Sequence, residues 1–129
     1  MMNIMIVDDE PQVAEVLAKS LSRQGHKTTV VHSGEDALRI ISTTAPDALF
    51  LDVSMPGING LEVLAEVRRT RPQLAVVVIT GHATADEVEQ VKKLGAVDVI
   101  PKPAALTHYH NAIERLHTKK SLNQTDGSC

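Results

Sequence analysis

The chain has 129 residues, enough for one domain with a sizeable core, and its 43% hydrophobic and 22% charged content is ordinary for a globular protein. Thirteen basic against 16 acidic residues leave a formal charge of -3, which argues against direct nucleic-acid binding, since affinity for phosphate backbones needs clustered Lys and Arg. The one cysteine, Cys129, excludes an intrachain disulfide, and neither a leader pattern nor a run long enough to span a bilayer is visible; the expectation is a cytoplasmic protein with no membrane contact.

Phe50 and Tyr109 are the two aromatic residues, so the core must come from Val, Ile, Leu, Ala and Met. The periodicity alternates between two kinds along the chain. Asn3 to Val7 reads as a strand. Pro11 then opens a helix whose Val13, Val16, Leu17 and Leu21 form one stripe, stopped at Gly25. A second strand spans Thr28 to Val31, and Ser33, followed by Glu35 and Asp36, starts a helix carrying Ala37, Leu38, Ile40 and Ile41. Ala48 to Val53 is a third strand. Asn59-Gly60 precedes a helix with Leu61, Val63, Leu64 and Val67, and its basic end, Arg68-Arg69-Thr70-Arg71, reads as a solvated helix terminus.

Ala75 to Thr80 is a fourth strand, after which Thr84 or a neighbour caps a helix with Val88, Val91 and Leu94 that ends at Gly95. Val97 to Ile100 is a fifth strand, and a last helix begins after Pro103 with Leu106, Ile113 and Leu116. Pro101 cannot donate to a ladder and belongs at a sheet edge. The repeated βα pattern with short connections predicts an α/β fold of flavodoxin-like (βα)5 type. Its sheet is parallel and five-stranded, of order 2-1-3-4-5, with helices on both faces. The expected boundaries are a domain over 1–117 and a polar tail or start of a linker over 118–129.

Polar residues recur where these strands end: Asp8 and Asp9, Asp52, Thr80 and Lys102. In an open α/β sheet, ligands sit in the crevice outside the carboxyl ends of the strands, so three carboxylates, a hydroxyl and an ammonium should share one edge. Each alone is unremarkable as a cap, a turn or a solvated edge residue. The bland reading gives no reason for all of them to converge. Six histidines, at 26, 32, 82, 108, 110 and 117, show no zinc spacing and read as surface residues.

Those residues carry a resemblance. Val7-Asp8-Asp9-Glu10, Leu51 to Gly60 with Asp52 near its start, Ile79-Thr80-Gly81-His82 and Pro101-Lys102-Pro103 together resemble a response-regulator receiver domain, over about Asn3 to Leu116. The resemblance implies that Asp52 is the phosphoacceptor, fed by a sensor histidine kinase or a histidine phosphotransfer protein. It implies Mg²⁺ (or Mn²⁺) held by Asp9 and Asp52 directly, by Asp8 largely through water, and by the backbone carbonyl of Ser54. Thr80 and Lys102 would contact the phosphoryl group, Ser54 and His82 would tune its lifetime, and the Lys102-Pro103 peptide would be cis.

Such a domain is a switch and not an enzyme beyond its own phosphorylation and dephosphorylation. It would alter a surface around the fourth helix, fifth strand and fifth helix for a downstream protein or an appended output domain, as a monomer or a phosphorylation-dependent dimer. One departure stands out: Val99 replaces the aromatic residue that usually moves with the switch Thr. The alternatives are a receiver cut from a larger transcriptional regulator or signalling enzyme, and a phosphate-independent interaction module. An aspartyl-phosphate hydrolase would need a second carboxylate two residues after Asp52, where Ser54 stands.

Overall fold

The structure, a computed structural model, describes residues 2–53, 60–81, 84–102 and 107–116. β-Branched apolar runs form five strands, β1 (Asn3–Val7), β2 (Lys27–Val31), β3 (Ala48–Asp52), β4 (Ala75–Thr80) and β5 (Asp98–Pro101). Between them lie the helices α1 (Pro11–Arg23), α2 (Gly34–Thr43), α3 (Gly60–Thr70) and α4 (Ala85–Lys93), and residues 107–116 form a further helical segment, α5. The sheet is parallel throughout, in the order β2-β1-β3-β4-β5.

Alternation along the strands divides the core into two layers. Met5, Val7, Leu49, Leu51, Val76 and Val78 face Ala37 and Ile41 of α2, Val63, Leu64 and Val67 of α3, and Val91 of α4. Ile4, Ile6, Ala48, Phe50, Val77 and Ile79 face Ala14, Leu17 and Leu21 of α1 and Tyr109, Ala112 and Ile113 of α5. Helices therefore cover both faces, and the two aromatic rings meet edge to face at 5.6 Å between Phe50 and Tyr109.

Caps behave as the residue types require. Ser33 accepts from the Asp36 N–H at 3.1 Å, and Thr84 accepts from the Glu87 N–H at 3.2 Å. α1 and α4 end alike. Gly25 (φ 94°) and Gly95 (φ 93°) take up the left-handed conformation, and the following N–H groups of His26 and Ala96 reach back to the carbonyls of Leu21 and Val91. Pro101 pairs with Thr80 on the edge strand with its nitrogen turned away from β4, so its missing N–H costs no ladder bond, and the Lys102 N–H donates to the Thr80 carbonyl at 2.7 Å.

Two expectations need correction. The buried face of α1 is Ala14, Leu17 and Leu21, whereas Val13 and Val16 stay 40% and 54% exposed. The small Ala14 lets the helix approach the sheet, and the i, i+3, i+7 spacing from it rotates the valines aside. The basic end of α3 is no merely solvated terminus either. Arg68 donates to the carbonyls of Pro72, Leu94 and Gly95 at 2.7, 3.3 and 2.9 Å, and Arg71 donates to those of Ile41 and Ser42. The two guanidiniums thus satisfy carbonyls left open where α4 and α2 end.

Candidate functional site

Among the described residues, Asp8, Asp52 and Thr80 are the buried polar or charged side chains, at 1%, 0% and 1% exposure. All three lie at or just past the carboxyl ends of β1, β3 and β4, three neighbouring strands. A buried carboxylate is costly without a partner. A partner comes from just past β5: the Lys102 ammonium donates to Asp52 Oδ2 at 2.5 Å and reaches Glu10 Oε1 at 3.4 Å. Lys102 is placed there by its backbone bond to Thr80, which extends the β4–β5 ladder one residue past Pro101.

The electrostatics follow from crowding. Burial pushes the Asp8 carboxyl above its usual range, and the negative charges of Asp52 and Glu10 add to it. The Glu10 N–H, which donates to Asp8 Oδ1 at 2.9 Å, and the Lys102 charge pull the other way. Burial alone would depress the Lys102 ammonium. The hydrogen bond and charge of Asp52, then the charge of Asp8, outweigh it and hold Lys102 above its ordinary value. Burial likewise raises the Tyr109 phenol.

Asp8, Asp9 and Glu10 each offer a carboxylate oxygen, and these oxygens lie within 4.8 Å of one another. An all-oxygen set of this kind suits a hard divalent cation such as Mg²⁺ better than a nitrogen- or sulfur-seeking metal.

The structure therefore brings Asp8, Asp52, Thr80 and Lys102 to one edge, with Asp9 beside them. Ser54, His82 and Pro103 lie outside the described residues, as does the Lys102-Pro103 peptide. Val99 is half-buried, pairs with Val78 and packs against the α2–α3–α4 layer.

Sequence reasoning passed over three residues here. Glu87 of α4 accepts a hydrogen bond from the Thr80 hydroxyl. His32 Nδ1 bonds the backbone carbonyl of Asp8 at 2.9 Å, and Glu10 shares Lys102. Glu10 could have been found as the third acid of Asp8-Asp9-Glu10. Glu87 carried a signal too, as the last residue of the capping-box spacing Thr84-x-x-Glu87. His32 carried none, because its partner is a backbone atom. Other histidines also tie segments together: His110 bonds Ser20 Oγ at 2.7 Å and Gln24 Nε2 at 3.1 Å across α1 and α5, and His26 Nδ1 accepts from the Met2 N–H at 3.2 Å.

Residues 4–114 match the family model of the response regulator receiver domain. The response regulator MprA of Mycobacterium avium is 42% identical over 105 residues, which cover 81% of this chain and 46% of that protein. This chain thus spans about half the length of such relatives. The crystal structure of the receiver domain of NtrX from Brucella abortus superimposes with a TM-score of 0.81 at 34% identity, covering 88% of this chain and 96% of that one. The non-phosphorylated HemR receiver domain from Leptospira biflexa gives a TM-score of 0.85 at 25% identity, over 90% and 94% of the two chains. With the fold, the strand-end acids and the family model in agreement over almost the same residues, the chain belongs to the response regulator receiver domain family.

Proposed function

We propose that this domain is a phosphorylation-dependent switch in which Asp52 accepts a phosphoryl group from a sensor histidine kinase or a histidine phosphotransfer protein. The observation that carries the reading is the fully buried Asp52 carboxylate, hydrogen-bonded to Lys102 at the strand edge that also holds Asp8 and Thr80. An Asp52 oxygen attacks the phosphorus of a phosphohistidine; the P–N bond breaks, an acyl phosphate forms, and the imidazole leaves with the electron pair. Lys102 shifts from the carboxylate to a phosphoryl oxygen, so that its charge follows the charge being transferred. Thr80 donates its hydroxyl to a second phosphoryl oxygen.

The acids at 8, 9 and 52, with the Ser54 carbonyl, would hold Mg²⁺. When bound, it neutralises phosphoryl and carboxylate charge that would otherwise repel. Water reverses the reaction by hydrolysing the acyl phosphate, and Ser54 and His82 set how easily it arrives. The domain then catalyses nothing beyond its own phosphorylation and dephosphorylation.

The output is a changed surface on α4, β5 and α5, read by a downstream protein or an attached output domain in the cytoplasm, with the domain monomeric or dimerising once phosphorylated. A transfer of this kind shifts a two-state element only by its differential interaction with the two states.

Intact-protein mass spectrometry after incubation with Mg²⁺ and acetyl phosphate tests the reading. One Mg²⁺-dependent phosphoryl adduct on the wild type, absent in Asp52→Asn, is expected. No adduct, even with a purified histidine kinase as donor, would leave a phosphate-independent interaction module as the function.

A further inference from the structure

Thr80 ends β4 with its side chain buried, and its hydroxyl donates to Oε1 of Glu87 in the first turn of α4. An ionised carboxylate only accepts, so the hydroxyl's one proton is committed to Glu87. The oxygens of a phosphoryl group on Asp52 also only accept. Glu87 and an aspartyl phosphate therefore compete for the same proton.

Glu87 has somewhere else to go. Thr84-Ala85-Asp86-Glu87 has the spacing of a capping box, in which the first side chain accepts from the fourth N–H and the fourth side chain accepts from the first N–H. The first half is formed, with Thr84 Oγ1 accepting from the Glu87 N–H at 3.2 Å. In the second half the Glu87 carboxylate would turn back to the Thr84 N–H, whereas here it holds Thr80. Either position keeps its charge at the helix N-terminus, where the helix dipole favours it.

We propose that Glu87 is a positioning residue of the switch. Its carboxylate holds the Thr80 hydroxyl while Asp52 is unmodified, and it yields the hydroxyl to the phosphoryl group by turning back onto the Thr84 N–H, which completes the cap of α4. The inference rests on Asp52 being the phosphoacceptor. Strand alternation puts Thr80 on the same face of the sheet as Val76, Val78 and Val99, the face that α4 covers. Val99 has no ring to follow Thr80, and the Thr80–Glu87 bond supplies the link to α4 that a ring would otherwise give.

The test is an amide NMR titration of the full chain with beryllofluoride, a phosphoryl mimic, at saturating Mg²⁺. Wild type, Glu87→Gln and Glu87→Ala are compared, each also in a Thr80→Val background. Removing the competitor should tighten apparent binding of the mimic roughly three- to tenfold in Glu87→Ala. Glu87→Gln keeps an uncharged acceptor oxygen and should fall between, so it carries the test if the alanine variant folds poorly. In Thr80→Val there is no proton to compete for, and the effect of Glu87→Ala should vanish. The Thr84 amide should shift on mimic binding in the wild type and stay still in Glu87→Ala.

Equal affinity in Glu87→Ala and wild type would overturn the proposal. So would the same gain in the Thr80→Val background, which would mark a plain charge effect. A wild type that takes up no mimic would overturn the phosphoacceptor reading and this inference together; uptake by the wild type with no change on substitution would overturn this inference alone.

Discussion

Replacing Lys102 by Met removes the ammonium that pairs with Asp52 and acts on Asp8, and leaves a side chain of similar reach. Asp52 has no exposed surface, and the Lys102 side chain is 21% exposed. Breaking a buried ion pair by deleting one partner costs about 3–5 kcal/mol, because the buried charge left behind loses its counter-charge. The partial exposure at Lys102 lets water reach the vacated position, which lowers the expectation to about 2–3 kcal/mol. With an unfolding entropy of roughly 2.1 cal/mol/K per residue over the matched residues 4–114, each kcal/mol is worth about 4 °C. Lys102→Met should then melt about 8–12 °C below the wild type without divalent cations, and urea midpoints should fall with an unchanged m-value. Asp52→Asn in the same background removes the stranded charge and should recover at least half of the loss. A loss below about 1 kcal/mol would refute the reasoning, and so would a double variant no more stable than Lys102→Met, since contacting charged partners should couple by about 0.5–3 kcal/mol.

Two further outcomes follow from the same site. Asp8→Asn should stabilise the metal-free domain at neutral pH: a carboxyl held above its unfolded value favours folding below pH 3.8 and loses that advantage as pH rises through its folded value. Melting temperatures against pH should show the variant gaining on the wild type as pH rises from 4 to 7 and binding Mg²⁺ more weakly; parallel curves would contradict this. Gly60→Ala should destabilise by about 1–3 kcal/mol, because a Cβ there would stand 2.4 Å from the Val53 Cα and the clash falls on backbone that cannot swing away. Since Val53 follows Asp52, the variant should also phosphorylate more slowly; an unchanged melt and rate would show that α3 absorbs the shift.

Topology and strand-end chemistry were legible because both are local in sequence. A β-branched run followed by a polar residue marks a strand and the polar group at its end, and the order 2-1-3-4-5 needs only short right-handed βα units and an edge-seeking Pro101. What escaped depended on distance or on backbone partners. The true face of α1 turned on Ala14, whose small side chain gives little signal beside Val13 and Val16. Arg68 and Arg71 read as solvated because most of their acceptors are carbonyls 26 to 30 positions away, just past α4 and in the last turn of α2. Glu87 carried only the capping-box spacing from Thr84, and that its carboxylate serves Thr80 is a tertiary fact.

These overlooked residues share a consequence. α4 is the least anchored helix of the four with full boundaries: Val91 is its one buried residue, against three in α1 and α2 and four in α3. Weak burial means a low cost of displacement. Its carboxyl-terminal end is held by Arg68 through the carbonyls of Leu94 and Gly95, and its amino-terminal end by Glu87 through Thr80. The two tethers differ in kind. The Arg68 bonds go to backbone at the far end of the strands and do not compete with chemistry at Asp52, whereas the Glu87 bond uses the very proton that a phosphoryl oxygen would seek. The proposed phosphorylation of Asp52 would therefore act on one end of a weakly buried helix while the other end stays clamped, and a pivot about the Arg68 end is the motion this asymmetry favours. Arg68→Ala should blur it: Asp52 would still take up phosphate, but the amide shifts of α4 on phosphorylation would spread into residues 94–97 in place of fading towards the clamp. Shifts as confined as in the wild type would show that burial of Val91 alone fixes that end.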